Sequence, residues 1–213
     1  MTVFVLASQS PARLGVLRNA GVEPVVRVSH VDEDVVAEAL PPGTPPDRVV
    51  IELARAKALE VAGQLAGDPA FTDSVVVGCD SMLLVDGVLQ GKPLTPEVAR
   101  ERWAEMAGRS ADLLTGHCVL RLTAGEIVGE AADCSSTTVH FAKPEPAELD
   151  AYIATGEPLQ VAGSFTLDGM GGWFVDKIDG DPSSVIGIGL PLVRRLLADV
   201  GVGIARLWVG DRA

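Results

Sequence analysis

The segment at residues 75–85 constrains the fold more than any other part of the chain. It is rich in valine and leucine, and an Asp86-Gly87 pair followed by two more apolar residues comes directly after it. Asp-Gly between apolar runs is a strong signal for a two-residue β-hairpin, whereas a helix that crosses a bilayer needs about 20 apolar residues. The segment therefore predicts a long buried strand that ends in a hairpin turn.

Helix signals and strand signals alternate along the rest of the sequence. Ser10-Pro11 and Thr95-Pro96 each place a hydroxyl residue before a proline, which is typical of a helix start. The predicted strands are residues 3–7, 75–85, 113–122, 127–141 and 173–178, and the predicted helices run to about Ala20, over residues 47–62, from Thr95 to Gly108, up to Thr155 and from Leu190 onward. This order predicts an α/β fold, with a mixed sheet and flanking helices, as one domain over residues 1–213.

Composition excludes several classes of protein. The chain has 213 residues and a net charge of −12, and non-specific nucleic-acid binding depends on Lys and Arg displacing counterions. Three cysteines without a CxxC pair fit a reducing compartment better than disulfides or zinc. The apolar N-terminus lacks the basic region of a secretion signal. We therefore expect a cytoplasmic protein that binds neither nucleic acid nor membrane.

Three positions contradict the local rules for their elements. Arg13 falls in the first turn of a helix, where the dipole disfavours a cation, so it either meets an anion held at that helix start or extends into solvent. Lys57 falls on the apolar stripe of its helix, and it either contributes to a site or reaches out to solvent. Asp80 interrupts the apolar strand, so it is functional or belongs to a structural ion pair.

Two other patterns were considered for their chemistry. Gly91-Lys92-Pro93 resembles the end of a Walker A loop, but the spacing to Gly87 is one residue short and proline replaces the magnesium-binding hydroxyl. Lys92 is then either a phosphate contact on a loop or a surface lysine. The three histidines, His30, His117 and His140, show neither metalloprotease spacing nor a nucleophile partner, and we interpret them as ordinary surface or core residues.

Seven short segments, taken in order, resemble the Maf family of nucleotide pyrophosphatases over almost the whole chain. They are Leu6-Ala7-Ser8-Gln9-Ser10-Pro11-Ala12-Arg13, Asp32-Glu33, Leu53-Ala54-Arg55-Ala56-Lys57-Ala58, Gly78-Cys79-Asp80-Ser81, Gly91-Lys92-Pro93, Ala162-Gly163-Ser164-Phe165 and Gly189-Leu190-Pro191-Leu192. The resemblance implies two lobes around a deep cleft, as in the Maf and inosine triphosphate pyrophosphatase-like fold. It also implies hydrolysis of nucleoside triphosphates, standard or modified, to monophosphate and pyrophosphate.

The resemblance also implies roles for individual residues. Asp80 would accept a proton from the attacking water or ligate a divalent metal, Mg²⁺ or Mn²⁺, with Glu33 beside that metal. The positions that would bind the substrate phosphates are Ser8, Arg13, Lys57 and Lys92. Such a set is chemically coherent, because phosphoryl transfer requires mainly positioning and charge neutralisation. A homodimer is expected from the resemblance alone.

By the same resemblance, substrate choice would rest on Ala12, Ser81 and Asp168, where family members that act on thymidine and uridine triphosphates carry Arg, Thr and Gln. The run Ala162-Gly163-Ser164-Phe165 followed by acidic Asp168 leans toward the branch that resembles 7-methylguanosine triphosphate pyrophosphatases, but that branch has an aromatic residue at position 12 and Gln at position 81. The sequence departs from both patterns, so the preferred base stays open.

Two further hypotheses compete with hydrolysis. The first is a nucleotide-binding regulator of septum formation without turnover. The second is a dinucleotide-binding enzyme, suggested by the glycines near 169–172 and 187–189, although neither group matches GxGxxG after a first strand.

Overall fold

The computed structural model describes residues 2–209 and has a mixed sheet with helices on both faces, which confirms the predicted α/β class. The strands are β1 (Val3–Ala7), β2 (Val25–Val26), β3 (Asp73–Val85), β4 (Val88–Gln90), β5 (Ser110–Thr123), β6 (Glu126–Phe141) and β7 (Val175–Asp179). The helices are α1 (Pro11–Asn19), α2 (Glu33–Glu38), α3 (Pro46–Gln64), α4 (Pro96–Met106), α5 (Pro146–Ala154), α6 (Pro182–Ile186) and α7 (Leu190–Asp199).

The strand order is β2-β1-β3-β5-β6-β7, and β4 pairs with the outer part of β3. β1 runs parallel to both β2 and β3, while the β3–β5, β5–β6 and β6–β7 pairs are antiparallel. The turn between β3 and β4 has φ of 47° at Asp86 and 84° at Gly87, the left-handed backbone of a type I′ hairpin. The hairpin predicted at Asp86-Gly87 is thus confirmed.

Three hydrophobic cores lie along this sheet. Alternate residues of β1 and β3 face opposite sides, so one core packs Leu6, Val77 and α7 on one face and another packs Val76 and α3 on the other. A third core surrounds Trp103 and the outer ends of β3, β5 and β6. The two inner cores form one lobe and the third forms the other, with the same three strands running through both.

Helix α3 lies directly against the sheet because the two strand residues that face its backbone are glycines. A Cβ built on Gly78 would fall 2.1 Å from the carbonyl oxygen of Ala54, and one built on Gly116 would fall 2.2 Å from that of Val50. Real Cβ atoms do not approach oxygen so closely, so both glycines are required by packing. This close approach brings the buried face of α3, which includes Lys57, onto β3.

Some predicted boundaries were wrong. The last strand begins at Val175, since Trp173 lies in a 3₁₀ turn with 86% of its surface exposed. Helix α2 was not predicted, because it is six residues long and buries none of them. Within residues 2–209 no helix combines the length and apolar character that crossing a bilayer requires.

Candidate active site

The candidate site lies where the sheet edge is interrupted between the two lobes. On one side of β3, β1 pairs as far as Gly78 and β4 pairs from Leu83 outward. In the part of the chain that the structure describes, residues 79–82 therefore have no neighbouring strand on that side. Asp80 and Ser81 lie in this gap, and Ser8 directly follows the end of β1 beside it. The gap exposes backbone and side-chain groups that a continuous sheet would cover.

Lys57, Asp80 and Glu33 form a compact charged triangle in the gap. The Lys57 Nζ donates to Asp80 Oδ1 at 2.6 Å and lies 2.7 Å from Glu33 Oε1. Lys57 and Asp80 are only 9% and 5% exposed, whereas the Glu33 side chain is about half exposed. The alternative in which Lys57 reaches out to solvent is therefore wrong. Asp80 does form an ion pair, and that pair opens onto the gap.

The two carboxylates have opposite pKa shifts. Burial raises the pKa of the Asp80 carboxyl and the neighbouring Glu33 raises it further, although Lys57 and Arg13 oppose this. Burial also disfavours the Glu33 anion, but Lys57, Lys92 and Arg13 together hold the pKa of that carboxyl below its usual range. Asp80 is consequently the more basic of the two, as a proton acceptor should be.

Arg13 turns back from α1 and is fixed by four hydrogen bonds. Its Nε donates to the Gly187 carbonyl at 2.8 Å, and its Nη1 donates to Ser8 Oγ at 3.1 Å and to the Cys79 carbonyl at 2.9 Å. Its Nη2 donates to Ser81 Oγ at 3.4 Å. A guanidinium has five N–H donors, so within residues 2–209 one Nη2 donor remains for a ligand. The alternative that Arg13 extends into solvent is wrong.

Ser8 is placed to contact the same ligand as Arg13. It is 8% exposed, and its Oγ accepts hydrogen bonds from the Ser10 N–H and from Arg13. Its own proton is therefore available to an anion. The predicted cap at Ser10 is also confirmed, since its side chain accepts from the Arg13 backbone N–H. The helix start and the end of β1 thus form one surface rich in N–H and O–H donors.

A chain of buried hydroxyl groups continues from Arg13 into the protein. Thr115 Oγ1 donates to the Ser184 carbonyl at 3.0 Å, and Ser81 Oγ lies 3.1 Å from the Thr115 oxygen. With the Thr115 proton so used, Ser81 donates to Thr115 and accepts from Arg13. Sequence reasoning identified Ser81 only as a specificity position. The structure adds a role in holding Arg13 in place.

His117 and the turn after α6 are the contacts that sequence reasoning missed. His117 lies on β5, is fully buried, and accepts a hydrogen bond at Nε2 from the Gly189 N–H at 2.9 Å. Burial and the charge of Arg13 lower the pKa of His117 to about 3, with a smaller opposing effect of the Thr115 backbone. The available signal was a polar residue within an apolar strand, the same signal that identified Asp80.

The remaining predicted residues lie at or outside the rim. Lys92 is exposed, and its charge contributes to the lowered pKa of Glu33. Ala12 is half-buried on α1. Asp168 is exposed in the turn after Phe165 and, within residues 2–209, makes no hydrogen bond or ion pair with the charged triangle or Arg13. The structure thus brings together Ser8, Arg13, Glu33, Lys57, Asp80 and Ser81.

The donor set fits a divalent metal that is bound mainly by the substrate. Among the described residues no group of three or more His, Cys, Asp or Glu is placed to hold a metal ion. Mg²⁺, however, is typically held by one or two carboxylates together with substrate phosphates and water. Glu33 and Asp80 supply two carboxylates that share a single lysine. This fits a metal that arrives with a polyphosphate better than one held permanently.

The dinucleotide-binding hypothesis finds no support in the geometry. The glycines near residue 170 lie in a 3₁₀ turn, and those at 187 and 189 lie between α6 and α7. Neither group joins a strand to a helix, as a dinucleotide-binding turn must. The three cysteines are free, as expected.

An α/β protein whose interrupted sheet edge brings two cations, Arg13 and Lys57, together with two carboxylates belongs to the class of proteins that bind small polyanions. Residues 3–200 match the family model described as Maf-like protein, so the chain belongs to the Maf family. A nucleoside triphosphate pyrophosphatase of Nocardia farcinica is 74% identical over 207 residues, which cover 97% of both chains. Another of the same name, from Rhodococcus opacus, is 71% identical over 208 residues, covering 98% of this chain and 97% of the relative.

Proposed function

We propose that the chain hydrolyses nucleoside triphosphates to nucleoside monophosphate and pyrophosphate. The observation that carries the proposal is the buried Lys57, held between Asp80 and Glu33 beside the fixed guanidinium of Arg13. The activity for which the relative from Nocardia farcinica, 74% identical, is named supports the same proposal.

Each basic group has a separate task in this reaction. Arg13 and Ser8 offer one free N–H and one free O–H to the phosphates at the end of β1. Lys57 and the exposed Lys92 neutralise further phosphate charge. Because Arg13 and Lys57 are held in place before the substrate arrives, they stabilise charge in the transition state without rearranging.

Asp80 is the proton acceptor in this mechanism. Its Oδ1 is bonded to Lys57, and within the described chain its Oδ2 makes no hydrogen bond, so that oxygen can accept a proton from water. The water oxygen attacks the α-phosphorus, the bond to the bridging oxygen breaks, and pyrophosphate leaves with the electron pair. Glu33 and Asp80 would hold Mg²⁺ or Mn²⁺, which neutralises the charge of the triphosphate when bound.

The decisive experiment is a panel of common and modified nucleoside triphosphates, with pyrophosphate and orthophosphate measured separately. The proposal requires one pyrophosphate per monophosphate and no orthophosphate. Binding without turnover of any substrate would favour a regulatory nucleotide-binding protein instead. The same panel decides the base preference, for which Ala12, Ser81 and Asp168 are the proposed determinants.

Assembly and location complete the proposal. A homodimer is proposed on the family resemblance alone, and sedimentation as a monomer at micromolar concentration would remove it. We place the protein in the cytoplasm, where free nucleoside triphosphates are available. Fractionation of cells that express the chain checks this location.

A further inference from the structure

The turn at residues 187–189 connects α6 to α7 and supplies one of the groups that hold Arg13. The Gly187 carbonyl accepts the hydrogen bond from Arg13 Nε at 2.8 Å. Gly187 itself has φ of +135°, which side chains rarely adopt. Because glycines stand at both 187 and 189, the backbone here has many accessible conformations. The Ser183 carbonyl ties the turn to α6 by accepting from the Gly187 and Ile188 N–H groups, each at 3.1 Å. Contacts from the neighbouring strand add to this in pointing the Gly187 carbonyl at Arg13.

Two contacts from strand β5 hold the turn, one on each side of Gly187. Before it, Thr115 Oγ1 donates to the Ser184 carbonyl at 3.0 Å. After it, the Gly189 N–H donates to His117 Nε2 at 2.9 Å. Both β5 residues are fully buried and belong to the central sheet. The position of the Gly187 carbonyl is thus fixed from a rigid element on both sides.

The space around the turn leaves little freedom for another arrangement. A Cβ on Gly189 would lie 2.9 Å from Asp181 Oδ2 and 3.5 Å from the His117 ring. The backbone therefore packs directly on the imidazole. We infer that His117 is a positioning residue that, by accepting the Gly189 N–H, orients Gly187 and hence Arg13 for the triphosphate. This inference rests on the proposed function.

The chemistry of His117 suits an acceptor and not an acid or base. An imidazole that accepts at Nε2 carries its proton on Nδ1 and is neutral. With its pKa lowered to about 3, His117 keeps this form throughout the pH range in which the enzyme would work. It is fully buried and bonded to the Gly189 N–H, so it acts on the substrate only through the turn.

The test compares His117→Gln, which retains an acceptor at about the reach of Nε2, with His117→Met, which removes it at similar volume. The measured quantity is the affinity for inorganic tripolyphosphate with Mg²⁺, determined by calorimetry without turnover. We expect His117→Met to weaken binding at least about tenfold, as small misplacements of a binding group do. His117→Gln should restore most of it. Equal affinity of His117→Met and the unaltered protein would overturn the inference.

Coupling to Arg13 distinguishes positioning from a general loss of structure. In an Arg13→Ala background, His117→Met should weaken tripolyphosphate binding no further, because the group that His117 positions is gone. Additive losses would contradict the inference. Ser74→Ala is the matched control, since this buried hydroxyl donates to Phe71 at the far end of the same sheet. It should leave the affinity unchanged.

A measurement on the unaltered protein keeps the inference testable if the methionine variant does not fold. Nitrogen NMR of the imidazole should find Nδ1 protonated and Nε2 coupled through a hydrogen bond to the Gly189 nitrogen. A proton on Nε2 would overturn the inference. Failure of the proposed function is recognised separately, because then the unaltered protein releases no pyrophosphate from any triphosphate, whatever His117 does.

Discussion

Replacing Asp80 by asparagine separates catalysis from stability at the centre of the site. The change keeps the shape of the side chain but removes its charge and its ability to accept a proton. If Asp80 is the base or a metal ligand, kcat should fall at least about 10²-fold. Asp73→Asn is the matched control, since Asp73 lies on the same strand and pairs with Arg121 away from the gap. It should leave kcat unchanged.

The structure also sets the expected effect on stability. Removing one partner of a buried ion pair usually costs about 3–5 kcal/mol, because the other charge is stranded. Here Lys57 keeps Glu33 at 2.7 Å. We therefore expect the free energy of unfolding to fall by less than about 1 kcal/mol, well below the cost of a stranded charge, or to rise.

The pH dependence gives a second, independent check. Because the folded-state pKa of Asp80 is raised, the native protein loses stability as pH rises from the unfolded pKa to the folded one. Each pKa unit corresponds to about 1.4 kcal/mol. Asp80→Asn removes this loss. The free energy of unfolding of the variant, relative to that of the native protein, should therefore increase with pH between the two pKa values and level off above them. Urea titrations from pH 4 to pH 8, together with kcat, test both. A variant several kcal/mol less stable with near-normal kcat would refute the catalytic role.

Three further predictions follow from the same contacts. Lys57→Met leaves two adjacent carboxylates without their cation, so it should lower the free energy of unfolding by about 3–5 kcal/mol at pH 7 and by less at pH 5. Urea titrations at the two pH values measure this, and equal losses would contradict the ion-pair geometry. Arg13→Ala should raise KM and lower kcat together without unfolding the protein, and normal steady-state kinetics would exclude its phosphate role. Gly78→Ala should cost more than about 3 kcal/mol in thermal unfolding, because its Cβ meets the backbone of α3, whereas Gly63→Ala, on the open face of the same helix, should stabilise by about 0.4–1 kcal/mol.

The sequence predicted those parts of the fold that local patterns control. The hairpin after β3, the cap at Ser10 and the inward face of α3 each follow from neighbouring residues, and each is confirmed. Lys57 and Asp80 stood out for a related reason, since a charge in an apolar element must find a partner. The resemblance to a known family supplied Glu33, which no local pattern singled out.

The remaining features depend on contacts distant in sequence. The gap beside β3 exists because β1 pairs with it only as far as Gly78 and β4 pairs with it only from Leu83. Strand pairing of this kind leaves no local signature in the sequence. The link from Arg13 to Gly187 spans 174 positions. His117 showed the same signal as Asp80, since both are polar residues within apolar strands. An imidazole, however, can be buried in its neutral form without a charged partner. The sequence context of His117 therefore did not distinguish a residue that positions the site from an ordinary core residue.

Strands β3, β5 and β6 each contribute residues to the cores of both lobes. Enzymes that close over a substrate usually bend at short connecting segments, whereas here a bend would distort three paired strands at once. The positions of Arg13 and Lys57 are therefore set when the chain folds and do not await a closing movement. We expect the chemical step and the release of pyrophosphate to limit the turnover rate. Motion should be confined to the exposed α2 and the loop that carries Lys92.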